Sequence, residues 1–66
     1  MTAHEKVIYI IQQLEISDSK VARAIQKSVS AASHKRLRLR DNKFTEEDYQ
    51  RIRDFYLEKL KKIEML

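Results

Sequence analysis

Four residue types are missing from this 66-residue chain: cysteine, glycine, proline and tryptophan. Without cysteine there is no disulfide staple and no thiolate metal site, which fits a reducing compartment. Without glycine there can be no glycine loop cradling a phosphate, which excludes the nucleotide-binding motifs built on one. Sharp hairpins and strand-to-helix turns usually draw on glycine or proline. A chain lacking both is most economically all-helical, with capped junctions. Long apolar runs are missing too. The longest, Val7 to Ile11, is five residues, far short of a membrane span. No apolar stretch with a cleavage site follows Met1, so a secretory leader is not expected. These absences describe a soluble, cytoplasmic chain with no membrane partner. Its length allows one domain, spanning residues 1–66, which buries only roughly 60% of its unfolded surface and would gain from a partner.

What is present is charge, unevenly placed. The formal net charge is +4. Residues 17–43 hold eight bases (Lys20, Arg23, Lys27, Lys35, Arg36, Arg38, Arg40 and Lys43) against Asp18 and Asp41, while each flanking segment is one unit negative. Such a localised excess is the footprint of a polyanionic partner.

Helix starts can be read from caps. Thr2 and Glu5 have capping-box spacing, and Ala3, Val7, Ile10, Ile11 and Leu14 follow at helical intervals, predicting a helix over about 3–15. The run Val7-Ile8-Tyr9-Ile10-Ile11 is also good strand sequence. Ser17 or Asp18 caps a second helix, about 18–25, that buries Val21, Ala22 and Ile25. Ser28 caps a third, about 29–37. Thr45 begins the fourth: Glu46, Glu47 and Asp48 lie on the positive end of the dipole, and Phe44 and Tyr49 have hydrophobic-staple spacing. From there Tyr49, Ile52, Phe55, Tyr56, Leu60 and Ile63 form one apolar stripe on a helix of roughly 30 Å. The alternating segment Arg36 to Lys43 suits either a strand or a helix end followed by a basic loop. With no partner strand in sight, the second reading is preferred.

Val21-Ala22-Arg23-Ala24-Ile25, a turn, and then Ser28-Val29-Ser30-Ala31-Ala32-Ser33 resemble the helix-turn-helix of small phage repressor and Cro-like regulators. Phe44-Thr45-Glu46-Glu47-Asp48 is similar to the start of that family's fourth helix, and the resemblance spans about residues 4–56. It implies a small helix-turn-helix bundle of about four helices with a long C-terminal helix. Ala22 then matches the small residue where the two helices cross, and Val21, Ile25 and Ala32 match packed positions. The resemblance also puts Val29, Ser30, Ser33 and His34 against base edges and Ser19 on a phosphate. There are departures. Gln26 stands where the family usually has a left-handed glycine, at a cost of about 1 kcal/mol, and Lys27 stands at a usually apolar position. Lys35 occupies another, so Leu37 or Leu39 is expected to complete the core there. Asp18 replaces an amide.

Catalysis finds no support. His4 and His34 lie on different helices without a ligand cluster around them, and the acids at 46–48 are accounted for by capping and the dipole. The chain is expected not to be an enzyme and to need no metal or cofactor. Two functions stay open. The first is a sequence-specific transcriptional regulator of phage or mobile-element type, in a bacterial or phage-infected cell as the resemblance implies, with helix 28–37 in the major groove of double-stranded DNA. Lys27, Lys35, Arg36, Arg38, Arg40 and Lys43 would then join Ser19 on phosphates. About five such contacts give a log–log salt slope of roughly −4 to −5. Because the apolar stripe outruns a four-helix core, residues 56–66 are expected to extend into a homodimer contact through Tyr56, Leu60 and Ile63. The alternative is a protein-interaction module (an antitoxin, antirepressor or adaptor) whose protein partner meets the C-terminal helix. RNA binding by the arginine-rich loop is a third reading.

Overall fold

A computed structural model describes residues 1–66 as four helices and one 3₁₀ turn, with no strand. Helix α1 spans Ala3–Leu14, α2 Asp18–Ile25, α3 Val29–Leu37 and α4 Glu46–Glu64, with the 3₁₀ turn at Leu39–Asp41. Each α-helix begins on a hydroxyl cap. The Glu5 N–H donates to Thr2 Oγ1 at 3.1 Å, and Thr2 N–H donates to Glu5 Oε1 at 2.8 Å. Ser17 accepts from Lys20 N–H and Ser28 from Ala31 N–H. At α4, Thr45 and Asp48 bond each other reciprocally, so this start is a full capping box as well. These bonds satisfy donors that no helix can satisfy internally. The ambiguous run Val7–Ile11 lies inside α1, and residues 36–43 form a helix end and a loop rather than a strand.

Chain reversals happen without glycine, so ordinary residues take left-handed conformations. Glu15, Gln26, Arg38, Arg40 and Asp41 have φ between 52° and 62°, each at a cost of about 1 kcal/mol. After Gln26 the Lys27 N–H reaches back to Ala22 C=O at 3.0 Å. This Schellman turn satisfies the carbonyls at the end of α2 and aims the chain into α3.

Val7, Val21, Ala22, Ala24, Ile25, Ala32, Phe44 and Ile52 form the core, with Ile8, Ile10, Ile11, Ile16, Tyr49, Phe55 and Tyr56 packed around it. Half of α2 is buried: Val21, Ala22, Ala24 and Ile25. The alanines on α2 and α3 keep the backbones close where these helices pack. Helix α4 lies across α1 and α2, and Arg51 on α4 donates to the Ile25 carbonyl at 3.1 Å, satisfying one more orphan acceptor at the end of α2. Between α1 and α4, Lys6 Nζ stands 4.9 Å from the centre of the Tyr49 ring.

One expectation about the core is corrected. Leu37 and Leu39 do not complete it, being 53% and 45% exposed. The inward position on α3 after Ala32 is Lys35, three residues on. Leu37, two residues past Lys35, falls on nearly the opposite side of the helix. A lysine is tolerated there because its ammonium meets Asp48, 1% exposed, at 2.5 Å. The apolar stripe of α4 divides in two. Helix α1 covers its first part down to Tyr56, but Leu60 and Ile63 are 50% and 61% exposed. No helix is long and apolar enough to cross a membrane.

Candidate nucleic-acid interface

Helix α3 is held by its two ends and one side, leaving the other side open. On the held side, Ala32 is fully buried and Lys35 bonds Asp48. Burial pushes the Asp48 carboxyl up. The hydrogen bonds from Lys35 and from the Thr45 backbone outweigh that, so the group stays below the usual carboxylate range. At the C-terminal end of α3, Arg36 grips Asp18 at the start of α2 through two parallel bonds, Nε to Oδ1 at 2.8 Å and Nη2 to Oδ2 at 3.0 Å. The Arg36 bond lowers the Asp18 pKa against some desolvation, and Ser33 adds to the lowering. Fork-to-carboxylate bonds fix angle as well as distance, so this pair sets the orientation of α3 against α2.

The open side carries Val29, Ser30 and His34, all exposed, while Ser33 is half-buried. Apart from the imidazole these are short side chains, and the helix can approach a flat or grooved partner closely along this line. Free cations stand at both ends of α3. Lys27 precedes it, and Arg38, Arg40 and Lys43 follow it; all four are exposed and none is in an ion pair. Ser19 is exposed on the first turn of α2. Of the seven residues expected on phosphates, Lys35 and Arg36 are therefore corrected: their charged ends are occupied by Asp48 and Asp18. The other five are free to make such contacts.

The basic loop after α3 is stiffened rather than loose. Asn42 Nδ2 and the Asn42 N–H both donate to the Leu39 carbonyl, at 2.9 and 3.0 Å. Phe44 then plugs the core, stacked on His4 with ring centres 5.5 Å apart. The Phe44 N–H donates to His4 Nδ1 at 3.1 Å. Burial lowers the His4 pKa, and the charges of Arg38 and Lys43 lower it further against the opposing pull of Glu5. Sequence reasoning missed His4, Asp48 and Arg51 as fold-setting polar residues. A signal existed only for Asp48: a lysine at a position wanting an apolar side chain implies a buried acid elsewhere.

Of the three residues expected at a dimer contact, Tyr56 is half-buried while Leu60 and Ile63 project from the free end of α4 beside exposed Leu57. Comparison with protein-family models, curated proteins and solved structures yields no match to this chain.

Proposed function

We propose that this chain is a sequence-specific DNA-binding regulator of transcription, of the phage repressor and Cro-like type. Helix α3 enters the major groove with Val29, Ser30 and His34 toward base edges. Ser19, Lys27, Arg38, Arg40 and Lys43 hold phosphates on either side. The observation that carries this reading is the open line of short side chains on α3, with unpaired Lys27 just before the helix in sequence and unpaired Arg38, Arg40 and Lys43 just after it. Short polar side chains suit direct contact with base edges, and flanking long cations suit the backbone charge. Because Lys35 and Arg36 are held in ion pairs with Asp48 and Asp18, the phosphate count falls. The salt slope per protomer should be roughly −3 to −4 rather than −4 to −5.

A mobility-shift series on mixed duplex DNA from low to moderate salt tests this reading. Binding that weakens along that slope supports it; no shift at low salt refutes it. A second reading, a protein-interaction module acting through α4, is favoured by the exposed Leu57, Leu60 and Ile63. It predicts the second outcome.

A further inference from the structure

A groove apart from the open line of α3 runs between the end of α1, α2 and the middle of α4. Leu14, Ile16, Phe55 and Tyr56 give it an apolar lining, and Lys20, Arg23 and Lys59 stand around it. No acidic residue lines it. None of the three cations is in an ion pair, and all three are exposed. Lys59 Nζ sits 4.8 Å from the centre of the Phe55 ring, and Arg23 lines the groove together with Tyr56. An apolar floor with cations of one sign on its rim is unlike ordinary surface, where both signs are interspersed.

We propose that this groove docks an acidic peptide segment of another protein, with apolar anchors seated on Leu14, Ile16, Phe55 and Tyr56. Its carboxylates pair with Lys20, Arg23 and Lys59. Charge complementarity selects this occupant. A second copy of the free end of α4 fits poorly, because residues 57–66 carry Lys59, Lys61 and Lys62 against only Glu58 and Glu64. Duplex DNA answers the cations but brings no side chain for the apolar floor. A bilayer is too flat to enter a concave site between helices. The site does not depend on the DNA reading: it shares no residue with the α3 face, and only Tyr56 with the proposed dimer contact.

Fluorescence anisotropy on the full chain tests the proposal. The probe is a labelled synthetic amphipathic peptide with Leu and Phe on one face and Glu and Asp on the other; its twin carries Lys in place of the acids. The acidic peptide should bind and the twin should not. Arg23→Glu and Lys59→Glu, both at exposed positions, should each weaken binding by about tenfold or more without changing the thermal melt. Leu60→Glu should leave binding intact. Equal binding of the twin, indifference to Arg23→Glu and Lys59→Glu, or binding of anionic phospholipid vesicles but not of the peptide would overturn the proposal. So would loss of peptide binding in Leu60→Glu alone.

Discussion

The imidazole of His4 can accept the Phe44 N–H only while Nδ1 carries no proton. Arg38 and Lys43 add positive charge from the loop, and Glu5 and Glu46 supply negative charge at the same end of the bundle. The folded-state pKa lies below the ordinary 6.5, through burial first and Arg38 second. The unfolded chain therefore takes up this proton more readily than the folded one. The stability that neutral His4 contributes is fully present above the unfolded value and is lost as pH falls through the folded one. Urea unfolding between about pH 7.5 and pH 5 should show wild type losing stability faster than His4→Gln, which keeps an acceptor without titrating. His34 is common to both proteins and cancels in the difference. Equal slopes would mean that the Phe44–His4 bond does not matter to folding.

At the scale of elements, the basic segment splits into cations paired within the fold, Lys35 and Arg36, and cations in no ion pair, Arg38, Arg40 and Lys43 among them. Lys35→Met removes the partner of a buried carboxylate and should cost about 3 kcal/mol of stability in chemical denaturation. Its effect on DNA affinity per folded molecule should be small. Arg38→Ala with Arg40→Ala should do the reverse. It should weaken binding to all duplexes alike and flatten the salt slope by about one unit per lost contact, with little loss of stability. If Lys35→Met instead abolishes binding while the fold stays intact, the division is wrong. The α2–α3 turn gives a third outcome. Gln26→Gly removes a left-handed penalty and should stabilise the protein by about 0.5–1 kcal/mol, raising the denaturant midpoint; a lower midpoint would refute it.

The helices were legible because each begins on a hydroxyl visible in the sequence (Thr2, Ser17, Ser28 and Thr45) and because α2 has helical apolar spacing. The residues Val29, Ser30, Ser33 and His34 were singled out by the resemblance rather than by the register, and of them Ser33 is half-buried. The pairing of Lys35 with Asp48 and of His4 with the Phe44 backbone was not, since these partners lie 13 and 40 residues apart. A charge run shows how many cations there are. It does not show which of them the fold consumes.

For the molecule as a whole, the unresolved tension is the free end of α4, which projects Leu57, Leu60 and Ile63 into solvent from a chain whose longest dimension is 43 Å. An uncovered apolar strip on so small a protein is a liability unless another chain buries it. A two-fold partner would also present two copies of α3 to half-sites about one DNA turn apart, roughly 34 Å. Sedimentation velocity at micromolar concentration should find a dimer that Leu60→Glu converts to a monomer with its helix content unchanged. A monomer in both cases would remove the dimer. Under the proposed function, α3 reads sequence. Selection of bound duplexes from a random library, run in parallel with wild type and with Ser30→Ala/His34→Ala, tests it most directly. Wild type should enrich a two-part site, and the variant should lose that enrichment while keeping its salt-dependent generic affinity. Identical enrichment by both proteins, or none by wild type, would contradict the account.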